Sequence, residues 1–334
     1  MKVVIPVADL HTGGGCKVLA DVSNALVRKG HKVEMVIPVS GRIEYELHCK
    51  VKRVPVLKRR NIPYGDIVLP NFYTTFRPAF DAWPQKCVRF SLGYEPYWVP
   101  QKEEAIWSYS QGVPIITISN WLDEQIYQEV GQRSTVINLG VNPHVFFSNE
   151  PKTKNNPKII MYIARNPNSG YKLKGFTDFV EAMKIVEEKC KENIIVHLIC
   201  PEGELSLPDV PYKVFKPKTE QEMASLYRGA DLFVSTSWIE GFSLPPLEAM
   251  ACGTPVVTTN SGGVLDFCQH EQSAIITTPK DPHSIADGIL QVLSNPSLAE
   301  RLRKGGLEQA KRLTKDQFEN KFVQTLENLH SQMN

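Results

Sequence analysis

Short apolar runs alternate with amphipathic helical stretches along almost the whole chain, and that alternation leaves few folds open. KVVIPVA (2–8) has the near-continuous apolar character of a strand buried on both faces. Gly13-Gly14-Gly15 follows, then a helical stretch CKVLADVSNALVRKG ending at Gly30, then a second strand HKVEMVIPV (31–39). Strand, glycine loop, helix and strand make a βαβ unit, because parallel strands need a long crossover that a helix supplies. Further apolar runs lie at 66–70, 87–92 and 114–119, and Ser119-Asn120 caps a helix WLDEQIYQEV before VINLGVNP returns to a strand and turn.

Residues 148–157, SNEPKTKNNP, are polar and Pro-flanked and read as a linker. A second series then opens with strands expected at 158–164, 193–200, 213–217, 231–237, 254–259 and 273–278, and helical sequence runs from 282 to the end. A chain of 334 residues exceeds what one core usually serves. The expected architecture is therefore α/β: two Rossmann-like doubly wound domains facing across a cleft, 1–150 and 151–314, with 315–334 as a C-terminal helix. Ligands of open parallel sheets lie at the carboxyl ends of the strands, so donor and acceptor are expected on opposite walls.

Bulk charge and cysteine use narrow the function. A net charge of +2 gives no polyelectrolyte surface for nucleic acid. The opening MKVVIPVADLHTGGG reads as strand and loop rather than a signal peptide, and no run approaches a membrane span. Seven cysteines are scattered without a C-x-x-C pair or Cys/His cluster, which suggests a reduced, cytoplasmic protein without structural zinc. The basic run KVKRVPVLKRR (50–60) is either a solvated face or a peripheral contact with the inner membrane surface or a phosphorylated acceptor.

The strongest chemical signal is Glu240 and Glu248 within TSWIEGFSLPPLEAMACGTPVV. A loop rich in Gly, Ser and Pro runs into a helix start, whose amide groups and dipole suit an anion such as a diphosphate. Two carboxylates beside an anion site are there for hydroxyls, those of a sugar, a ribose or both. Arg165 and Lys174-Gly175 follow the strand at 158–164 and suit a departing pyrophosphate, with Lys172 competing with Lys174 for that role. Gly13-Gly14-Gly15 is either a tight turn or a diphosphate contact through Gly14 and Gly15. It is not G-x-G-x-x-G, since Val18 stands at the last position and no acid ends the second strand, which argues against a nicotinamide site. Ser261-Gly262-Gly263 is a turn or a close approach to sugar. In FSLGYEPYWVP (90–100), Tyr94, Tyr97 and Trp98 either stack on sugar rings or pack a loop, with Glu95 as a polar contact.

These residues together resemble glycosyltransferase family 4, retaining enzymes of the two-domain GT-B fold, over nearly the whole chain. The resemblance is carried by GGGCKVLADVSNALVRKGHKV, ITISNWLDEQI, VINLGVNPHVF, ARNPNSGYKLKG and, most specifically, EGFSLPPLEAMACGTPVVTTNSGG. It implies that Glu240 contacts the donor sugar hydroxyls and that backbone around Phe242, Ser243 and Leu244 contacts sugar and phosphate. It implies Glu248 at the ribose, Arg165 and Lys174 at the diphosphate, and a last helix crossing back to the first domain within 315–330. It also implies a nucleotide-diphosphate sugar as substrate, a carbohydrate or lipid-linked acceptor, and no metal or other cofactor. Many members carry a His after the strand that here reads CVRFSLGYEP; Gly93-Tyr94-Glu95 stands there instead, which promotes Glu95, with His11 as another polar contact. The Tyr-Glu-Pro string is similar to a subset acting in rhamnose-containing cell-surface polysaccharides. A nucleotide-sugar epimerase of the same fold and a non-catalytic sugar-binding protein are the competing expectations.

Overall fold

A computed structural model describes residues 1–148, 156–201 and 205–333. The chain forms two compact units, Met1–Asn138 with Asp316–Asn334, and Leu139–Lys315. The linker expected at 148–157 and the boundary at 150/151 lie, but for residues 148, 156 and 157, outside the described residues.

The first unit is built on a parallel sheet. Its strands are β1 (Lys2–Pro6), β2 (Lys32–Pro38), β3 (Lys50–Val54), β4 (Ile67–Val68), β5 (Arg89–Ser91), β6 (Ile115–Thr117) and β7 (Thr135–Val136). They form two ladders, β3-β2-β1-β4 and β5-β6-β7. The ladders adjoin where Val88 N–H donates to the Val68 carbonyl (2.9 Å) and Phe90 N–H to that of Pro70 (2.9 Å). The order is thus 3-2-1-4-5-6-7, a doubly wound sheet whose direction of winding reverses between β1 and β4.

The helices of this unit are α1 (Gly14–Arg28), α2 (Tyr73–Ala82), α3 (Lys102–Trp107) and α4 (Asn120–Val130). In α1 the buried positions Val18, Val22, Ala25 and Leu26 fall on one helical stripe. Helix α4 starts where Ser119 Oγ accepts from Leu122 N–H (3.1 Å) and stops at left-handed Gly131. Helix α2 was not expected, and it carries Pro78 inside it.

The basic run 50–60 is in part an edge strand. Its first five residues are β3, an edge strand in parallel register with β2. Glu34 on β2 sits between Lys2 (3.2 Å) and Lys50 (3.0 Å), and Arg53 donates to the carbonyls of Pro38 and Gly41. Positive side chains along an exposed edge discourage another strand from adding there. Part of the charge is thus structural.

The second unit repeats the design. Its strands are β8 (Lys158–Ile163), β9 (Ile194–Ile199), β10 (Tyr212–Phe215), β11 (Leu232–Ser235), β12 (Val256–Thr259) and β13 (Ile275–Thr277), in the order β10-β9-β8-β11-β12-β13. Every pairing is parallel, and the winding reverses between β8 and β11. Helices α5 (Phe176–Lys189), α6 (Glu220–Gly229), α7 (Leu244–Ala251), α8 (Pro282–Ser294) and α9 (Pro296–Arg312) belong to it. A core from Ile160, Tyr162, Phe179, Val196, Val234 and Ile285 fills the space between sheet and helices.

Residues 139–148, expected in the first domain, pack with this second unit. Val141 N–H donates to Leu313 O (3.0 Å) and Lys315 N–H returns to Val141 O (2.9 Å). Gly140 makes that approach possible, because a Cβ there would stand 2.2 Å from the backbone of Thr314.

The final helix, α10 (Lys315–Gln332), packs on the first unit. Phe322 is buried with its ring 4.7 Å from that of Phe90, and Arg28 meets Glu319 at 2.5 Å. Phe322→Ala removes a filled site between helix and sheet. It is expected to cost about 3–5 kcal/mol in urea unfolding followed by far-UV dichroism.

Candidate functional site

Sheet order decides where a site forms in the second unit. At the β8/β11 reversal the loops that leave the carboxyl ends of the two strands run to opposite sides and leave a crevice. The loop after β8 carries Arg165 to Gly175, and the loop after β11 carries Thr236 to Ser243.

The two loops are locked together by short polar contacts. Tyr162, wholly buried on β8, shares a hydrogen bond with Thr236 Oγ1 (2.8 Å) and donates to Lys174 O (3.1 Å). Thr236 Oγ1 also reaches Gly175 O (2.8 Å), and Trp238 N–H donates to Leu173 O (2.8 Å). Gly175 has φ +67, and a Cβ on it would stand 2.0 Å from Thr236 O, so glycine is required on both counts. The Trp238 indole N–H donates to Asp178 at the start of α5 (2.5 Å).

That locking brings Lys174 to Glu240. Lys174 Nζ donates to Glu240 Oε1 at 2.7 Å, and Ser237 Oγ donates to the same oxygen at 2.7 Å. The lysine side chain is 38 % exposed and the glutamate 16 %. A pair so open contributes about 1 kcal/mol or less to stability, and its two charges stay within reach of a ligand. Of the two competing lysines, Lys174 reaches Glu240, while Lys172 Nζ lies 5.9 Å from the Trp238 ring centre. The Arg165 guanidinium stacks over Tyr171 at 3.8 Å, at the mouth of the same loop.

The glycines at 261–263 brace the glutamate. Glu240 N–H donates to Ser261 O (2.7 Å), and Gly263 N–H donates to Glu240 O (3.0 Å). A Cβ on Gly263 would stand 2.0 Å from Gly241 O. The segment is therefore a backbone clamp on the Glu240 loop, a role that the sequence reading as a turn or sugar contact did not contain.

Helix α7 begins at Leu244 behind Ser243, which holds left-handed φ 76 without being glycine. Such a conformation costs on the order of 1–3 kcal/mol and persists where the surroundings impose it. Pro245 and Pro246 carry no N–H and Leu247 N–H falls in the helix's own ladder, so the free donors at the start of α7 are the amides of Ser243 and Leu244. The amide-rich helix start expected from the sequence is thus sparser than a typical first turn. The Phe242 side chain is buried against Phe267 (5.1 Å), leaving only its backbone for a ligand.

Glu248 lies one turn into α7. Tyr227, wholly buried on α6, donates its hydroxyl to Glu248 Oε2 at 3.0 Å. Phe146 packs edge-on against Tyr227 (6.2 Å), and Arg228 donates to Val145 O (3.2 Å). The turn VINLGVNPHVF therefore supports the tyrosine that orients Glu248. The sequence reading had no pairing for Tyr227; its place five residues before β11 gave no chemical cue.

In the first unit, Gly14 and Gly15 open α1 and are exposed. Thr12 donates through N–H and hydroxyl to Glu44 (2.6 Å each), and Gly13 N–H donates to Tyr45 (2.8 Å). Glu44 thus holds the glycine loop. Arg42 pairs with Asp9 (2.7 Å), and His11 Nδ1 lies 3.4 Å from Asp9 and 3.8 Å from the Cys16 thiol. Burial, with Asp9 adding to it, pushes the Cys16 thiol up to about 11, so it is protonated at neutral pH.

Glu95 departs from its expected role. It is 2 % exposed, and both carboxylate oxygens accept from Arg89 Nη2 at 2.6 Å. Burial pushes its carboxyl up to about 7, against the opposing pull of Arg89. An enclosed, paired acid is a positioning group and not an acid open to substrate. Arg89 itself was missed, because one arginine inside CVRFSL looks like a polar break in a strand. Among the described residues no three His, Cys, Asp or Glu side chains cluster as a metal site, and no helix is long and apolar enough to cross a membrane.

Gly175→Ala is expected to lose about 1–3 kcal/mol through its positive φ alone, with further loss as the Thr236 contact opens. Thermal unfolding of the two proteins measures this, and an unchanged melting temperature contradicts the docking of the two loops.

Residues 146–309 match the family model described as Glycosyl transferases group 1. An uncharacterized glycosyltransferase of Methanocaldococcus jannaschii is 30 % identical over 205 residues, covering 54 % of this chain and 51 % of that protein. The chain thus spans about half the length of this curated relative, and 31 % of the D-inositol 3-phosphate glycosyltransferase of Thermobispora bispora, to which it is 32 % identical over 132 residues, 38 % of this chain. Among solved structures, sucrose-phosphate synthase from Thermosynechococcus elongatus superposes with a TM-score of 0.81 at 19 % identity, covering 99 % of both chains. Anabaena HepE in complex with UDP and glucose superposes at 0.78 and 17 % identity, over 98 % of this chain and all of that one (100 %). At these identities the structural likenesses establish the fold, which is GT-B.

Proposed function

We propose that this chain, whose residues 146–309 match the model of the group 1 glycosyl transferases, moves a glycosyl group from a nucleoside diphosphate sugar to an acceptor hydroxyl with retention of anomeric configuration. The observation that carries the reading is the Lys174–Glu240 contact of 2.7 Å at the β8/β11 crevice. It sets a cation for phosphate beside a carboxylate for hydroxyls, at the sheet edge where nucleotides bind. The UDP and glucose in the Anabaena neighbour's complex are in keeping with such a donor.

In the proposed reaction the bond between the anomeric carbon and the diphosphate oxygen breaks, and the acceptor oxygen bonds to that carbon on the same face. The acceptor proton passes to the departing diphosphate. Negative charge grows on the diphosphate as positive charge spreads over the sugar ring. Lys174, Arg165 and the amides around Ser243 and Leu244 stabilise the first, through dipoles and charges already in place. Glu240 accepts from donor-sugar hydroxyls, and Ser237 and the Ser261–Gly263 clamp keep its carboxylate aimed. Glu248, oriented by Tyr227, accepts from the ribose. The nucleobase is read by main chain near Lys216 to Thr219. This chemistry draws its charge from side chains and amides, without a metal ion. The acceptor is a carbohydrate or lipid-linked saccharide of cell-surface polysaccharide or glycoconjugate synthesis.

A thermal-shift screen across uridine, guanosine, thymidine and adenosine diphosphate sugars identifies the donor, because a ligand of the native state raises the melting temperature by mass action. With that donor, Glu240→Ala and Arg165→Ala are each expected to lose at least ~100-fold in transfer. Their melting temperatures should stay near wild type, since both side chains are part-exposed. Wild-type turnover in both variants contradicts the assignment. Proton NMR of the product should show the donor's anomeric configuration. Conversion of the donor to a stereoisomer without acceptor overturns the transfer reading in favour of an epimerase.

A further inference from the structure

The carboxyl edge of the first unit's sheet carries an aromatic surface that no donor chemistry uses. After β5 the chain turns through Leu92-Gly93-Tyr94 into a short 3-10 turn, Glu95–Tyr97. After β6 it enters α4 with Trp121 in the first turn. Tyr97 and Trp98 are 48 % and 42 % exposed, large fractions for such side chains. The Tyr97 ring lies 6.3 Å from Trp121 at 25°, close to parallel, and 5.0 Å from buried Tyr94, edge to face. Rings so arranged form a platform with an open flank rather than a sealed core.

The platform is held by unusual means. Arg89 is wholly buried on β5, and its pairing with Glu95 ties the first residue of the 3-10 turn to the strand beneath. The Arg89 guanidinium also lies over the Tyr109 ring (5.1 Å), and the Tyr109 hydroxyl donates to Gly93 O (3.1 Å). A buried ion pair contributes little net stability compared with an apolar filling, but it holds one conformation. The Trp98 indole crosses Gly93, where a Cβ would stand 2.7 Å from it. Gly15 of the glycine loop stands next to Leu92, with 3.6 Å from its Cβ position. Stacking surface, glycine loop and strand ends therefore share one edge.

We propose that Tyr97 and Trp121, with Trp98 alongside, form a stacking subsite for a neutral sugar ring of the acceptor, set in place by the buried Arg89–Glu95 pair. The apolar C–H face of a pyranose covers an aromatic ring, while hydroxyls at its rim need polar partners; Gln125, which accepts from the Tyr97 hydroxyl, is such a group at this rim. The occupant is a saccharide rather than a phosphate, because the side chains in contact at the platform are aromatic rings, the Gln125 amide and the Glu129 carboxylate that accepts from Tyr94 (3.2 Å), and a carboxylate repels a phosphate. The proposal rests on the glycosyl-transfer reading, which requires a second substrate besides the nucleotide sugar. Arg89 and Glu95 are positioning residues in it, and they touch no substrate.

Ligand-observed NMR titration tests the platform without any donor. The probes are methyl glycosides of glucose, galactose, mannose and rhamnose, with maltose and cellobiose. At least one probe should bind wild-type protein, with saturation transfer strongest at the C–H protons of one ring face. Tyr97→Ala and Trp121→Ala should each weaken that probe about tenfold, and Tyr97→Phe should stay within about twofold of wild type. Because Trp121 lies on another element, its variant keeps the test open where loss of Tyr97 disturbs the loop. Absence of binding by every probe, or wild-type affinity in both alanine variants, overturns the proposal. So does a concentration-dependent dimer in sedimentation that Tyr97→Ala abolishes, which makes the rings a self-association face. Failure of the transfer reading appears elsewhere, as absence of nucleotide release from every donor, and leaves the glycoside titration as it stands.

Discussion

Between Gly175 and Thr236 the backbones approach so closely that a Cβ would meet the carbonyl at 2.0 Å. That approach joins the loop after β8 to the loop after β11, and the meeting of Lys174 with Glu240 depends on it. With the loops docked, Lys174 meets Glu240 and Trp238 is anchored on both sides. The glycine clamp at 261–263 holds the same glutamate from the β12 side. The charges are thus aimed by backbone contacts and not by their own modest attraction, which solvent weakens. The arrangement suits a group that must exchange a lysine for hydroxyls or phosphate when a ligand arrives.

The two units apply one sheet order to different ends. Each reverses its winding beside its first strand, and each gathers distinctive side chains at the carboxyl edge. In the second unit that edge is polar and cationic, with Arg165, Lys172 and Lys174 in one loop. In the first it is aromatic, with glycines on one side and Tyr97, Trp98 and Trp121 on the other. The buried Arg89–Glu95 pair lies beneath the aromatic edge, as the Tyr162–Thr236 contact lies beneath the cationic one.

How much of this was legible in the sequence differs by residue type. Apolar runs such as KIIMYIA announce strands because a parallel strand is covered on both faces. Edge strand β3 was hidden, because Lys50, Lys52 and Arg53 give it the composition of a solvated stretch. Helix α2 was hidden by Pro78 and by aromatic residues that fit strands as well. That Glu240 and Lys174 lie on loops at strand ends was visible from the glycines and apolar runs around them, but their contact with each other was not. Nor were other partners: Tyr227 under Glu248 and Arg89 under Glu95 are contacts across elements that local pattern does not encode. Glu95 shows the limit most plainly, for its place after a strand suggested an open acid, and only burial revealed a closed one.

The last helix gives the chain an unusual order of completion. Phe322 packs on Phe90 and Glu319 meets Arg28, so the first unit lacks part of its core until α10, 18 residues long, has been made. The second unit runs from Leu139 to Lys315, and its two ends are hydrogen-bonded side by side at Val141 and Leu313. Domains usually complete in the order of their synthesis at the ribosome. Here the first unit is interrupted by the whole of the second, and the Phe90 side of its sheet is covered only once α10 has followed.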